Sequence, residues 1–290
     1  VTEVGYYKDD GLVRCTLDIR DNIEKMRCMN AMDKSDVCLV IGGGKGITPH
    51  CVREIARRAP GTTWLLMGRS ALKEVPAWAK DLKGAALMKE SKQHLGKVSL
   101  REMKSFVSGV ESAREIHESL AMIREFGKAE YVSCDVMDEG KTKAIIDELN
   151  RKYTITGLIH ASGVLRDKKI ENKKIEDFRA VYNTKIVGLT NVLANLDESQ
   201  LRTMVVYSSM AGVYGNIGQT DYAMANEVLN KFAHQYKTLH PMCNVKSFCF
   251  GPWDSGMVTP ALKEYFTSNG VEIIPLDRGA ELVAELLLHS

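Results

Sequence analysis

Residues 37–59 read VCLVIGGGKGITPHCVREIARRA. The apolar run Val37–Ile41 is followed directly by a glycine-rich turn, Gly42–Thr48, and then by a helical pattern through Cys51–Ala59. Glycines allow a tight turn and let backbone N–H groups approach a phosphate, and the N-terminus of the next helix favours negative charge. The order of strand, turn and helix therefore predicts a dinucleotide-binding βαβ unit.

The rest of the chain repeats this alternation of short apolar runs and helical segments. The further apolar runs are Trp64–Met67, Tyr131–Val136, Leu158–His160, Met204–Tyr207 and Val245–Phe250. Most of these runs are continuous, which is typical of parallel strands that are covered on both faces. The pattern predicts an α/β fold with a doubly wound parallel sheet, the Rossmann fold.

Two regions depart from the simple alternation. Residues 1–34 precede the first strand of the predicted sheet, and Lys8–Gly11 separates two apolar runs there, which predicts a β-hairpin. We interpret residues 1–34 as an appendage, the remnant of a structural subdomain, and residues 35–290 as the Rossmann domain. Residues 70–130 are too long for an ordinary connection and are helical in pattern, with a capping box at Ser99–Glu102. They predict an inserted pair of helices.

Composition limits the class of protein. The 290 residues carry a formal net charge of +2 and have no apolar run long enough to cross a membrane, so nothing indicates nucleic acid or membrane as a partner. The seven cysteines form no metal-binding spacing, which indicates reduced thiols, a cytoplasmic location and no metal site. The chain does not begin with Met, so we expect it to be a piece of a longer protein.

The predicted nucleotide site favours NADPH over NADH. Arg69 and Ser70 follow the second strand, where a dinucleotide places its adenosine ribose, and an arginine there suits a 2′-phosphate. Lys45 adds positive charge at the same place. The predicted cofactor contacts in the turn are Gly42, Gly43, Gly44, Lys45, Gly46 and Ile47. The later predicted contacts are Asp135 and Val136 at the third strand, and Ala161, Ser162 and Gly163 after the fourth.

The predicted catalytic group is Ser209, Tyr222, Asn226 and Lys185. Ser209 ends the fifth strand, and Tyr222 and Asn226, four residues apart, share one face of a helix. Reduction of a carbonyl needs a proton at oxygen, and a Lys185 ammonium near the Tyr222 phenol would stabilise its phenolate and make the phenol more acidic. The Ser209 hydroxyl can hold the developing oxyanion. Each residue alone is ambiguous, and the prediction depends on their joint order and spacing.

From Val37 onwards the chain resembles the ketoreductase domains of polyketide and fatty acid synthases, and most of all those of polyunsaturated fatty acid synthases. The matching stretches are Gly42–Thr48, Gly68–Ser70, Cys134–Val136, Gly163–Asp167, Ser208–Asn226 and Gly251–Met257. Thr48 departs from the resemblance, because most ketoreductase domains have glycine there.

The resemblance implies a role for each site residue. Tyr222 would donate the proton, Ser209 would bind the oxyanion, and Lys185 and Asn226, in exchanged positions, would orient Tyr222 and the ribose. Pro252 and Trp253 would contact the cofactor. The implied substrate contacts are Asp167, Met210, Tyr214, Gly256 and Met257.

The resemblance also implies a reaction. An NADPH-dependent β-ketoacyl-[acyl carrier protein] reductase would reduce a thioester on the phosphopantetheine arm of an acyl carrier protein, beside other domains of the same multidomain synthase. Members with Leu-Asp-Asp give the (3R)-hydroxy product, and this chain has Leu165-Arg-Asp167. Tyr214 stands where the opposite class has tryptophan. These features favour the (3R) product. Whether the isolated domain is a monomer or a dimer stays open.

Other functions are compatible with the same fold. A catalytically silent NADPH-binding domain usually lacks the tyrosine or lysine, and this chain has both Tyr222 and Lys185. Nucleotide-sugar epimerases and dehydratases need Tyr-x-x-x-Lys, which Asn226 excludes. A silent domain that only scaffolds a synthase remains the alternative to the reductase, and an assay of NADPH oxidation separates the two.

Overall fold

The computed structural model describes residues 2–7, 11–16, 32–255 and 260–288. Strands β1 (Thr2–Tyr7) and β2 (Gly11–Thr16) pair antiparallel, with Thr2 opposite Thr16 and Tyr7 opposite Gly11. The hairpin predicted at the start of the chain is therefore confirmed.

A single parallel sheet of six strands forms the centre of the domain. Its strands are β3 (Val37–Ile41), β4 (Thr63–Gly68), β5 (Lys128–Ser133), β6 (Gly157–His160), β7 (Thr203–Ser209) and β8 (Asn244–Phe250). They lie in the order β5-β4-β3-β6-β7-β8, and every neighbouring pair is parallel. The strand order reverses at β3, so the predicted doubly wound fold is confirmed and its switch point lies between β3 and β6.

Helices cover both faces of the sheet. They are α1 (Thr48–Arg58), α2 (Gly84–Leu95), α3 (Leu100–Arg124), α4 (Glu139–Lys152), α5 (Ile175–Leu193), α6 (Met210–Tyr214), α7 (Thr220–Leu239), α8 (Pro260–Ser268) and α9 (Leu276–Leu288). Helices α1, α3 and α9 pack together on one face, while α4, α5 and α7 pack on the other.

Alternation along the strands divides the core between these faces. In β3, Cys38 and Val40 join the core under α1 and α9, whereas Leu39 and Ile41 join the core under α5 and α7. All four side chains are almost completely buried. A strand buried on both faces needs apolar residues throughout, which is why the run Val37–Ile41 is continuous.

The third strand of the sheet was misplaced in the sequence prediction. The apolar run Tyr131–Val136 was assigned to it, but β5 ends at Ser133. This strand lies at the edge of the sheet, and its residues alternate between exposed and buried. A half-exposed strand does not show the continuous apolar run that identified the central strands.

The predicted helical insertion is confirmed as α2 and α3. The predicted capping box opens α3, because the Ser99 and Glu102 side chains each accept a hydrogen bond from the other residue's backbone N–H. A separate small core joins the two helices, made of Ala79, Leu87, Val107 and Val110 with Val75, Trp78, Leu82, Met88 and Phe106 around them. The insertion is thus a packed unit.

Two further observations concern the described part of the chain. None of its helices combines the length and apolar character required to span a bilayer. Its five cysteines with described side chains are free thiols, four of them buried and Cys249 half-buried. Burial raises the pKa of Cys243 to about 11, so this thiol is unreactive at neutral pH.

Candidate active site

The glycine-rich turn lies at the switch point, between the end of β3 and the start of α1. Gly42 and Gly46 have φ angles of 79° and 72°, which favour glycine. A Cβ atom on Gly42 would lie 2.9 Å from the backbone of Ala161, and one on Gly43 would lie 2.7 Å from the Val40 side chain. These positions exclude a side chain, so the backbone itself lines the crevice.

The segment after β6 forms the other side of the crevice. The Ala161 N–H donates to the Ile41 carbonyl oxygen at 2.8 Å, continuing the sheet past the strand. The Ser162 hydroxyl donates to the Thr184 carbonyl oxygen at 3.1 Å. The small residues Ala161, Ser162 and Gly163 thus lie beside the glycine-rich turn, as predicted for a cofactor that crosses the sheet edge here.

The residues predicted to read the ribose lie at the carboxyl end of β4. Arg69 is exposed, and its carbonyl oxygen accepts from the Ser133 hydroxyl at 3.5 Å. The Ser70 carbonyl oxygen accepts from the Tyr131 hydroxyl at 2.7 Å, which fixes the backbone next to Arg69. Lys45 of the turn donates to the Ser112 hydroxyl of α3 at 3.0 Å. The Arg69 side chain is therefore open to a ligand, and Lys45 has a polar partner from the insertion.

Asp135 and Val136 lie in the turn after β5. The Asp135 carboxylate accepts from the Met137 N–H at 3.1 Å, which stabilises the turn into α4. Val136 is buried, and its carbonyl oxygen accepts from the Asn191 side chain at 2.8 Å. The Val136 side chain therefore packs in the core, and Asp135 is the more accessible of the two predicted contacts.

The four predicted catalytic residues come from three elements and meet at the carboxyl end of β7. Ser209 is the last residue of β7, Tyr222 and Asn226 lie on α7, and Lys185 lies on α5. The Lys185 Nζ atom lies 5.6 Å from the centre of the Tyr222 ring. Ser209 and Asn226 both form hydrogen bonds that act on the Tyr222 phenol.

Lys185 is a buried amine with one neutral neighbour of note. Its Nζ donates to the Tyr207 carbonyl oxygen at 2.8 Å, and burial lowers its pKa to about 7. The His160 Nε2 atom lies 2.7 Å from the Lys185 carbonyl oxygen, which can only accept, so Nε2 carries the hydrogen. Burial, aided by the Lys185 charge, lowers the pKa of His160 to about 3. His160 is therefore a neutral donor that orients the Lys185 backbone.

The acidity of Tyr222 differs from the sequence prediction. The Lys185 ammonium was expected to lower the pKa of this phenol, but burial raises it, and the hydrogen bonds from Asn226 and Ser209 offset only part of that effect. The physical reason is that the phenolate loses hydration in this half-buried position. A raised pKa keeps the phenol protonated at neutral pH, as a proton donor must be.

Asn226 and Ser209 have groups to spare for a ligand or the phenol. The Asn226 amide nitrogen donates to the Tyr222 carbonyl oxygen at 2.7 Å, while its Oδ1 atom is buried without a hydrogen-bond partner. The Ser209 hydroxyl accepts from the Ala211 N–H at 3.1 Å and donates over a long 3.4 Å to the Phe250 carbonyl oxygen. The Ser209 proton is thus weakly held and can turn to another acceptor.

The residues implied as substrate contacts surround the mouth of this site. Asp167 accepts from the Gln219 side chain at 2.8 Å, just before α7. Met210 and Tyr214, on α6, are 41% and 64% exposed, which is high for large apolar side chains. Gly256 and Met257 lie outside the described residues. Asp167 is therefore tied to the catalytic helix, and α6 offers an apolar surface beside Ser209.

Trp253 lies in the core. Its ring packs edge-on against Phe250 at 5.2 Å, and a Cβ atom on Gly279 would run into it at 2.5 Å. Only 4% of Trp253 is exposed. The indole therefore packs under α9, and its predicted contact with a cofactor is wrong for the side chain. The neighbouring Pro252 is half-buried, and its carbonyl oxygen accepts from the Ile274 N–H at 2.8 Å.

The structure also reveals a buried ion pair that the sequence analysis missed. The Lys173 ammonium lies 2.7 Å from the Asp221 carboxylate, and their side chains are 7% and 0% exposed. The same Asp221 oxygen accepts from the Tyr222 N–H at 2.9 Å, and Lys173 also donates to the Arg166 carbonyl oxygen at 3.0 Å. The pair joins the loop after β6 to the helix that carries Tyr222. A charged residue directly before the tyrosine was its one signal in the sequence.

The site and fold agree with a match to a family of known domains. The family model described as "KR domain" matches residues 37–255, which include the glycine-rich turn and all four catalytic candidates. The chain belongs to the KR family. These are the ketoreductase domains of polyketide and fatty acid synthases, oxidoreductases with the short-chain dehydrogenase fold.

Named relatives of this KR domain are parts of large synthases. It is 42% identical to a polyunsaturated fatty acid synthase chain of a Thraustochytrium species over 96% of the residues compared here. It is 27% identical to erythronolide synthase EryA3 of Saccharopolyspora erythraea over 87% of its own length. The chain spans 10% and 7% of the lengths of these two relatives.

Solved structures support the fold. A ketoreductase domain from the bacillaene assembly line superimposes with a TM-score of 0.70 at 23% identity, covering 97% of this chain and 59% of that chain. An A1-type ketoreductase superimposes with a TM-score of 0.71 at 19% identity, covering 99% of this chain and 52% of that chain. The KR domain thus has the Rossmann architecture of these structures.

A dinucleotide fits the crevice of the KR domain. The glycine positions from which Cβ atoms are excluded leave room for a phosphate against the backbone, and the unpartnered Asn226 Oδ1 marks an unused acceptor near Tyr222. Gly42–Ile47 would hold the pyrophosphate, Arg69 the adenosine end, and Ala161–Gly163 the middle of the molecule.

Proposed function

We propose that this KR domain uses NADPH to reduce a β-ketoacyl thioester, carried by an acyl carrier protein, to the (3R)-β-hydroxyacyl thioester. It would do so as one domain of a multidomain fatty acid or polyketide synthase. The observation that carries the proposal is the convergence of Ser209, Tyr222, Asn226 and Lys185 beside the glycine-lined crevice.

The proposed roles follow from the state of each group. NADPH, when bound, supplies the hydride for the ketone carbon. Tyr222 donates its phenolic proton to the ketone oxygen, and its raised pKa ensures that the proton is present. Ser209 turns its weakly held proton from the Phe250 carbonyl to the same oxygen and stabilises the developing negative charge.

Lys185 and Asn226 support the phenol after it has lost its proton. The Lys185 amine has a pKa of about 7, so a phenolate forming 5.6 Å away favours its protonated form. The positive charge then stabilises the phenolate. Asn226 holds the backbone at Tyr222 and keeps the ring in place along one turn of α7.

The proposal for NADPH depends on Arg69 and Lys45, whose positive charges suit a 2′-phosphate. The proposal for the (3R) product depends on Asp167, held by Gln219, and on Tyr214 in place of tryptophan. The exposed apolar residues Met210 and Tyr214 offer a surface for the acyl chain.

The test compares wild type with Tyr222→Phe in an assay of NADPH oxidation with a β-ketoacyl thioester or trans-1-decalone. Removing the proton donor should lower turnover by about 10²- to 10⁴-fold, while NADPH still binds. Tyr153→Phe is the matched control, because its hydroxyl bonds only to Glu130 in the contacts described, at 2.6 Å.

Three outcomes distinguish the alternatives. Retained turnover in Tyr222→Phe would mean that the proton comes from another group. A wild-type domain that binds NADPH but reduces neither substrate would favour a silent binding or scaffolding domain. Chiral chromatography of the hydroxy product tests the (3R) assignment separately.

A further inference from the structure

The long helix of the insertion lies directly against the glycine-rich turn. Helix α3 has 25 residues and is about 37 Å long at about 1.5 Å per residue. Ser112, Glu115 and Ser119 recur on one face of it at helical spacing. All three side chains contact the turn through hydrogen bonds, so the insertion borders the proposed cofactor site.

The three contacts use different groups of the turn. The Ser119 hydroxyl donates to the Gly44 carbonyl oxygen at 3.1 Å. The Lys45 ammonium donates to the Ser112 hydroxyl at 3.0 Å. The Gly46 backbone N–H donates to the Glu115 carboxylate at 2.8 Å. The last contact differs from the others because it places a negative charge on a donor of the turn.

A carboxylate and a phosphate compete for the same kind of donor. Backbone N–H groups in glycine-rich turns before a helix are the groups that cradle phosphates. In this structure the Gly46 N–H is already bound to an anionic oxygen, and the Glu115 side chain is exposed and free to move away. A phosphate at this turn would have to displace that carboxylate or bind beside its charge.

The insertion is built to hold Glu115 at this place. The Arg114 guanidinium donates to the carbonyl oxygens of Ala79 and Leu82 at 2.6 and 2.8 Å, which fixes α3 to the segment before α2. Ile116, next in sequence, is fully buried and packs close to Gly44. The position of the Glu115 backbone is therefore set by packing on both sides.

We propose that Glu115 sets the affinity and selectivity of the site for the phosphorylated cofactor, by competing with phosphate oxygens for the Gly46 N–H. This inference rests on the proposed use of NADPH. The insertion thus acts as an acidic gate at the adenosine end of the crevice. Its carboxylate weakens the binding of NADPH and speeds the release of the oxidised cofactor.

The test is Glu115→Gln, which removes the charge but keeps the side-chain oxygen. NADPH dissociation constants are measured by fluorescence titration at low and at high salt. The variant should bind NADPH about three- to tenfold more tightly at low salt, and the gain should shrink at high salt because ions screen the repulsion. Glu118→Gln, an exposed carboxylate one turn further along α3, is the matched control and should change little.

The sign of the change decides the inference. Equal or weaker binding of NADPH by Glu115→Gln would overturn the gate, because a carboxylate that merely braces the turn, or that accepts from a ribose hydroxyl, would be missed when neutralised. Absence of NADPH binding from wild type and both variants would instead overturn the proposed function, and the gate with it.

Discussion

Breaking the buried Lys173–Asp221 pair should destabilise the domain far more than breaking an exposed pair. The ammonium and carboxylate lie 2.7 Å apart with at most 7% of either side chain exposed. In Lys173→Met the Asp221 charge loses its counter-ion but stays buried, which costs about 3–5 kcal/mol in free energy of unfolding. That is a large share of the roughly 5–15 kcal/mol that folded domains possess.

The assay is urea denaturation of a double-mutant cycle. Lys173→Met and Asp221→Asn should each be strongly destabilising. The double variant should recover much of the loss, because neither charge remains and the new asparagine side chain can still accept from the Tyr222 N–H. A thermal melt should show a fall on the order of 10 °C for the single variant Lys173→Met.

The matched control is Lys143→Met, which breaks the exposed pair Lys143–Asp147 on α4. Solvent screens that pair, so its loss should be hardly measurable. The reasoning would be refuted if Lys173→Met cost no more than this control, or if the effects of Lys173→Met and Asp221→Asn simply added.

Two further predictions concern single side chains. Arg69→Ala should weaken NADPH binding by about 10- to 100-fold and leave NADH nearly unaffected, as loss of a charge-assisted contact to the 2′-phosphate requires; an equal effect on both cofactors in fluorescence titrations would contradict this contact. Lys185→Met should remove a pH dependence of stability, because burial lowers the pKa of Lys185 from 10.5 to about 7. Between those values the unfolded wild type holds a proton that the folded state has lost, so its free energy of unfolding rises with pH relative to the variant, by up to about 1.4 kcal/mol per pH unit. Denaturation at about pH 6, 8 and 10 checks this, and a constant difference speaks against it.

Features encoded by neighbouring residues were predictable from the sequence. The strand Val37–Ile41, the hairpin and the Ser99–Glu102 capping box were each predicted from a short stretch, and the structure contains all three. The bounds of β5 were not predictable in this way, because that edge strand is half-exposed and lacks a continuous apolar run.

The limits were different for the site. The four catalytic candidates could be predicted because their order and spacing together match one chemistry. The pair Lys173–Asp221 joins residues 48 apart, and the contact of Gly46 with Glu115 joins residues 69 apart. Contacts over such separations depend on how elements pack, which no local pattern reveals. The pKa of Tyr222 was mispredicted for a related reason, because burial is a property of the folded domain.

The loop after β6 and the turn before α7 behave as one piece, which matters for engineering product stereochemistry. Besides the Lys173–Asp221 pair, the Lys168 N–H donates to the Gly218 carbonyl oxygen at 2.9 Å, and Gln219 donates to Asp167. A transplant of residues 163–174 alone from another synthase, without a lysine at the matching place, would strand a carboxylate inside the protein. Chimeras should therefore exchange residues 163–174 and 216–221 together, as a single module.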